Sequence, residues 1–318
     1  MTDMKIVLLE SLAVSQETLD ELVAPVMAAG HTFETWERTE DEAELIRRCK
    51  DADVLMLANM PLPGKVIRAC EHLKLINIAF TGVDHVDLAA CRDMGVKVVN
   101  AAGYSTGAVA ELTIGQMISL LRHVPETEHS CRRGGTKAGL VGRELGACTV
   151  GIIGTGAIGQ RVAQLLTAFG CTVLGYAPRQ KDEAKQYLTY VPLEELLSRS
   201  DIVSLHCPLN DSTRGMIGFG ALSQMKPGAL LINMARGPVV DSQALAEALC
   251  SGHLAGAAVD VFEKEPPLDP AHPLLNVPNC HVTPHIAFAS DESMVLRAQI
   301  VFASLQKWLA GEPLRYIV

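Results

Sequence analysis

Residues 149–163 read Thr-Val-Gly-Ile-Ile-Gly-Thr-Gly-Ala-Ile-Gly-Gln-Arg-Val-Ala, and no other stretch narrows the choice of fold as far. An apolar run enters a cluster of glycines at Gly154, Gly156 and Gly159, and an amphipathic run with Val162, Leu165, Leu166 and Phe169 leaves it. The pattern predicts a buried strand, a tight turn and the opening of a helix. Gly154 suits the sharp turn, Gly156 lets a pyrophosphate approach the backbone, and Gly159 lets the helix pack close to the strand. The helix N-terminus, with Ala157 and Ile158 in its first turn, offers unpaired N–H groups and a partial positive charge to a phosphate. Glycines at this spacing also mark ordinary turns. Here the strand before and the helix after supply the context that a dinucleotide site requires.

The same alternation runs along the whole chain. Apolar strands are predicted at residues 5–9, 53–57, 75–80 and 96–100, with helical segments at 16–29, 40–49, 64–70 and 88–94. Strands alternating with helices imply right-handed crossovers and a mostly parallel sheet. Residues 107–121 follow as a helix apolar nearly all round, with Val109, Leu112, Ile114, Met117, Ile118, Leu120 and Leu121. Such a helix is buried on several sides, between domains or between subunits. Residues 132–146, rich in glycine and basic side chains, predict a surface loop. Beyond the glycine turn, strands are predicted at 172–176, 202–206, 229–233, 257–261 and 281–283, giving a doubly wound sheet. A final helix at 291–309 is expected to cross back and complete the first domain.

Bulk properties exclude several classes. The 318 residues are enough for two cores, and the net charge of -9 with no basic run argues against nucleic-acid or anionic-membrane partners. No apolar run is long enough to cross a bilayer, and the N-terminus lacks a signal-peptide pattern. The nine cysteines include no C-x-x-C pair, which disfavours a disulfide framework and a metal site and suits a reducing cytoplasm.

Polar clusters stand at the predicted C-terminal ends of the later strands: His206-Cys207-Pro208, Asn233-Met234-Ala235-Arg236-Gly237, Asp260 and Thr283-Pro284-His285. Ligands of open α/β sheets bind at such strand ends. The Arg236 guanidinium suits a two-pronged grip on a carboxylate, though a surface arginine would pair with any local acid. Histidine is the side chain best suited to pass a proton to or from a substrate oxygen, which makes His285 a candidate, although most of the ten histidines must be structural. Glu265, in the acidic loop 262–267, would favour an imidazolium if it touched His285; acidic loops are more often simply solvated. Asp260 ends its strand among apolar residues, where an unpaired carboxylate is costly. It reads equally as a helix cap or as a holder of a nicotinamide.

Taken together, these blocks resemble the D-isomer-specific 2-hydroxyacid dehydrogenase family over essentially the full chain. They are residues 151–159, Asp201–Leu209 running on to Thr213, Leu231–Gly237 with Val240-Asp241 and Ala244-Leu245, Asp260–Glu263, Glu265-Pro266, and Thr283–Ala287. The resemblance implies two Rossmann-like parallel-sheet α/β domains. One is a discontinuous, flavodoxin-like substrate domain of residues 1–100 plus 288–318; the other is a doubly wound dinucleotide-binding domain of residues 101–287. It implies a catalytic set of Arg236, Glu265 and His285: Arg236 binds the substrate, and His285, kept protonated by Glu265, donates to the keto oxygen. Thr81 and Gly82 match a loop whose N–H groups grip the substrate carboxylate. The cofactor-binding candidates are Gly154, Gly156, Ala157, Ile158, Gly159, Arg179, His206, Pro208, Thr213, Met234, Ala235 and Asp260. A homodimer joined through the long helix and the following loop is also implied.

Two departures from the family pattern stand out. Members specific for NAD carry an acid just after the second strand, whereas this chain has Ala177, followed by Arg179. Room for a 2′-phosphate favours NADP, unless Asp182 or Glu183 loops back to serve NAD. The segment 138–140 lacks a tryptophan found in many relatives. Residues 103–106, Gly-Tyr-Ser-Thr, look like the segment of glycerate dehydrogenases that reduce hydroxypyruvate. Hydroxypyruvate or glyoxylate is therefore the expected substrate, with D-lactate-type activity the alternative. A phosphoglycerate substrate is disfavoured for want of clustered cations and of a regulatory domain before the end at Val318. Formate dehydrogenases pair their histidine with glutamine, unlike Glu265. Dinucleotide-sensing corepressors keep the same triad but carry long tails, so a binding-protein role is the remaining alternative from another class.

Overall fold

The computed structural model describes residues 3–265 and 268–318. Two compact units emerge, one made of the chain up to Ser105 together with Ala289–Val318, the other of Thr106–Phe288. Pro266 and Pro267, at the end of the acidic loop, and the first two residues lie outside the described residues.

The first unit is built on five parallel strands, β1 (Lys5–Leu8), β2 (Thr32–Thr35), β3 (Val54–Leu57), β4 (Leu75–Ile78) and β5 (Lys97–Asn100), in the order β2-β1-β3-β4-β5. That is the flavodoxin-like order. β3 and β4 are buried at every position, because helices cover both faces of a parallel sheet and leave no polar alternation. The edge strand β2, Thr-Phe-Glu-Thr, has no fully buried residue and no readable pattern. The helix Asp291–Leu309 belongs to this unit because buried polar groups tie it there. Asn77 on β4 donates its side-chain amide to the Val301 carbonyl at 2.8 Å, and Arg297 donates to the Leu12 carbonyl at 2.6 Å.

The second unit carries seven parallel strands, β6 (Thr149–Ile153), β7 (Thr172–Tyr176), β8 (Thr189–Tyr190), β9 (Ile202–Leu205), β10 (Ala229–Asn233), β11 (Leu254–Val259) and β12 (Cys280–Val282). Their order, β12-β11-β10-β9-β6-β7-β8, reverses at β6, the topological switch point where such sheets bind ligands. The helix Thr106–Leu121 buries Val109, Ile114, Met117 and Leu121 in the core of its own unit, with Val150, Ile152 and Val162. Much of its all-round apolarity is thus used within the unit. Ahead of the irregular stretch lies a helix, Val124–Arg132, none of whose residues is buried, so no apolar stripe announces it in the sequence.

Both sheets are started by the same device. Asp53, just before β3, accepts the Lys5 N–H at 2.9 Å and the Lys74 ammonium at 2.7 Å. Asp201, just before β9, accepts the Thr149 N–H at 2.8 Å and the Lys226 ammonium at 3.3 Å. Each carboxylate fixes the first residue of the neighbouring strand, and so the register at the root of the sheet.

Among the described residues, no helix is long and apolar enough to cross a membrane. No group of three or more His, Cys, Asp or Glu there could hold a metal ion.

Candidate active site

The glycine turn closes on the switch point. Gly154 has φ +96°, and a Cβ there would lie 2.5 Å from the Cys207 nitrogen and 2.6 Å from the His206 carbonyl carbon. Only glycine allows both the left-handed turn and this approach to the exit of β9. A Cβ at Gly159 would fall 2.1 Å from the Gly154 oxygen, whereas one at Gly156 would meet nothing within 4 Å. The helix Ala157–Ala168 starts at Gly156 with no side-chain cap, leaving the N–H groups of its first turn, at Ala157 and Ile158, for an outside acceptor. Open space at Gly156 beside uncapped donors fits a pyrophosphate.

Between the glycines, Thr155 is buried and its hydroxyl lies 2.7 Å from that of Tyr190, which also accepts the Lys181 N–H at 3.1 Å. Tyr190 therefore joins the glycine turn to the loop after β7. No sequence signal marked it, since β8 is only two residues long. In that loop Arg179 is exposed, and its guanidinium has no hydrogen-bond or ion-pair partner among the described residues. Asp182 is committed to Lys185 at 2.7 Å, and that bond holds its carboxyl below the usual value.

At the exit of β9, the Thr213 hydroxyl donates to the Pro208 carbonyl at 2.7 Å and accepts the Asn210 N–H at 2.9 Å, stapling the loop after His206. The His206 Nε2 lies 2.9 Å from the Ser204 hydroxyl, and burial pulls its pKa down to about 4. A histidine so placed stays neutral at ordinary pH.

The exits of β10, β11 and β12 are neighbours in the sheet and carry Arg236, Asp260 with Glu265, and His285. Asn233, last in β10, accepts the Ala235 N–H at 3.1 Å and donates to the Arg236 carbonyl at 3.1 Å, which fixes the turn containing buried Met234 and Ala235. The Arg236 guanidinium donates to the Ala235 carbonyl at 2.8 Å. A Cβ on the next residue, Gly237, would lie 2.0 Å from the Phe262 carbonyl carbon, so the Arg236 turn rests directly on the backbone leaving β11.

His285 adopts φ +53°, uncommon for a residue with a side chain. Its N–H reaches the Asp260 carbonyl at 2.7 Å and the Thr283 carbonyl at 3.0 Å. Asp260 is fully buried; its carboxylate accepts the Thr283 hydroxyl at 2.5 Å and the N–H groups of Ile286 and Ala287 at 2.9 and 2.8 Å. Burial pushes its pKa up, against the lowering effect of these bonds and of His285. Asp260 thus caps the turn that presents His285, not a helix. The His285 Nδ1 lies 3.3 Å from Glu265 Oε1, and its ring meets Phe288 edge-on at 5.3 Å.

On the first unit, Thr81 and Gly82 follow β4. The Asn100 amide donates to the Thr81 carbonyl at 2.6 Å, while the N–H groups of Thr81 and Gly82 donate to no described residue.

A doubly wound sheet, an uncapped glycine turn at its switch point and a histidine–carboxylate pair on neighbouring strand ends define a dinucleotide-linked oxidoreductase. Residues 114–287 match the family model described as the NAD-binding domain of D-isomer-specific 2-hydroxyacid dehydrogenases. A putative 2-hydroxyacid dehydrogenase of Haemophilus influenzae is 37% identical over 317 residues, covering 96% of this chain and 98% of that protein. The hydroxypyruvate reductase of Blautia hydrogenotrophica is 32% identical over 324 residues, covering 99% of each. Among solved structures, the TT0316 protein from Thermus thermophilus superposes with a TM-score of 0.88 at 35% identity, covering 99% of this chain and 100% of that one. The chain belongs to the D-isomer-specific 2-hydroxyacid dehydrogenase family and is a nicotinamide-dependent oxidoreductase acting on the CH–OH group of a small 2-hydroxy acid.

Proposed function

We propose that this enzyme reduces hydroxypyruvate or glyoxylate, with NADPH preferred over NADH. The observation that carries the reading is the pairing of His285, after β12, with Glu265, after β11, at 3.3 Å, with β11 lying next to β10, whose exit carries Arg236. A reduced nicotinamide, when bound, supplies the hydride for the keto carbon. On this reading Arg236 binds the substrate carboxylate and polarises its keto oxygen. His285 gives that oxygen a proton. Glu265 orients the ring and stabilises its charged form. Thr81 and Gly82 are the free N–H donors assigned to the carboxylate.

Hydroxypyruvate is favoured by residues 103–106 and by the activity named for the Blautia relative. NADPH is favoured by Ala177 in place of an acid, by the unpaired Arg179 guanidinium and by the commitment of Asp182 to Lys185. Gly154, Gly156, Ala157, Ile158 and Gly159 would hold the pyrophosphate, with His206, Pro208, Thr213, Met234, Ala235 and Asp260 shaping the rest of the cofactor site. The domain formed by the chain ends is assigned to the substrate and Thr106–Phe288 to the dinucleotide. A homodimer belongs to the same reading, supported by exposed Val124, Val141 and Val282 on the second unit.

A panel of short 2-keto acids assayed with NADPH and with NADH tests all of this together. Turnover of hydroxypyruvate or glyoxylate with NADPH is the expected result. Exclusive use of pyruvate would replace the substrate assignment with a D-lactate type, and inertness towards every keto acid would favour a binding protein.

A further inference from the structure

We propose that Ser242, Glu263 and His272 form a clamp that sets the position of Glu265 relative to His285, making Glu263 a positioning residue for the reaction. The inference rests on the reading of Glu265 and His285 given above.

Both oxygens of the Glu263 carboxylate have a side-chain partner. One oxygen accepts the Ser242 hydroxyl at 2.6 Å and the other faces His272 Nε2 at 2.9 Å. The Nδ1 of His272 accepts the Leu274 N–H at 3.3 Å, so the ring proton is on Nε2 and is donated to Glu263. Ser242 opens the helix Ser242–Cys250, whose Leu245 and Leu249 are buried in the core, so the serine arm is anchored to a rigid element. The His272 ring also meets Phe262 edge-on, with centroids 5.1 Å apart. One imidazole thus holds two successive residues of the loop.

Those two residues serve both sides of the site. Phe262 and Glu263 are the backbone on which Gly237, and hence the Arg236 turn, rests. The Phe262 N–H also faces the Glu265 carboxylate, at 3.4 Å. That contact is long, and the His285 contact at 3.3 Å is hardly shorter, so Glu265 has little of its own to fix it. The clamp two residues away supplies the missing restraint. Burial favours a neutral Glu263, but the bonds from Ser242 and His272 outweigh it and keep the carboxyl ionised below its usual range. Misplacement of a reacting group by about 1 Å can cost on the order of 10²-fold in rate.

The test is a mutant cycle on the intact enzyme. Glu263→Ala should lower kcat for keto-acid reduction by about 10- to 100-fold, with the KM for the reduced dinucleotide within about two-fold of the parent. In a Glu265→Gln background the same change should cost almost nothing further, since its effect passes through Glu265. A purely structural role would lower Tm and add its full cost in both backgrounds. Should Glu263→Ala not fold, His272→Asn removes one arm and should lower kcat by about 5- to 10-fold with the same non-additivity. Folded variants with parental kcat, or costs that add fully to that of Glu265→Gln, overturn the clamp. If Glu265→Gln and His285→Ala themselves retain full turnover, the catalytic reading falls first and takes the clamp with it. If those two lose turnover while Glu263→Ala does not, the clamp alone falls.

Discussion

Asp260 and His285 are joined through the backbone of one and both ends of the other. The His285 N–H donates to the Asp260 carbonyl at 2.7 Å, while the Asp260 carboxylate gathers the N–H groups of Ile286 and Ala287, the two residues after the histidine. The turn presenting the imidazole is therefore held by a buried acid that need not touch the ring. Asp260→Ala should destabilise the second unit by about 1–3 kcal/mol for each buried donor left unpaired. Urea unfolding would register this as a lower midpoint, and turnover should fall with it. An unchanged midpoint would mean that the turn holds itself.

Replacing His285 separates chemistry from strain. His285→Ala should lower turnover by a factor on the order of 10² to 10⁴, the usual worth of general acid catalysis. His285→Gly should be equally inactive yet more stable than the alanine variant by about 1 kcal/mol, because glycine adopts φ +53° without penalty. Paired thermal melts and initial rates check both halves. A fully active alanine variant removes His285 from the mechanism.

Cofactor choice is expected to depend on one charge and on one tether. Arg179→Ala should weaken NADPH about 10-fold or more while leaving NADH nearly unchanged, as expected for a lost charge-assisted contact. Tyr190→Phe removes the hydroxyl linking Thr155 to the Lys181 N–H, and should raise the KM for NADPH several-fold without altering kcat. Equal losses for the two dinucleotides in the arginine variant reject the 2′-phosphate assignment.

Stability should fall with acid over two pH ranges. The His206 pKa is held by burial at about 4, and unfolding returns it to 6.5, so between these values the unfolded chain takes up a proton that the folded chain refuses. Its contribution is complete above pH 6.5 and declines as pH falls towards 4. Asp53 and Asp201 follow at lower pH. Burial alone would raise both, but the N–H and ammonium groups bonded to each outweigh it and hold them below 3.8. Their stabilisation is full above pH 3.8 and is lost as pH drops through the folded values. Asp201→Asn should cost about 1–3 kcal/mol at neutral pH and flatten the fall in the lower range. Calorimetric Tm values from about pH 7 to about pH 3 should fall first below pH 6.5 and again below pH 3.8, and a Tm that stays level between pH 6.5 and pH 4 would remove His206 from the account.

The alternation of apolar strands with helices, the glycine turn and the polar tips of the later strands were all readable in the chain. Such features depend on local periodicity and on backbone demands that only glycine meets, and both are written residue by residue. The edge strand β2, the two-residue β8 and the exposed helix Val124–Arg132 were not readable, since none carries a buried stripe. Nor were the tethers that position the site. Tyr190 on Thr155, Glu263 between Ser242 and His272, and the Asp260 carboxylate on the turn after His285 join residues 35, 21, 9 and 27 positions apart. Sequence alone settled which side chains the chemistry has available. Which of them meet was decided by sheet order, because a hydrogen bond needs its partners within about 3 Å, and only the packing of β10, β11 and β12 side by side brings their exits that close.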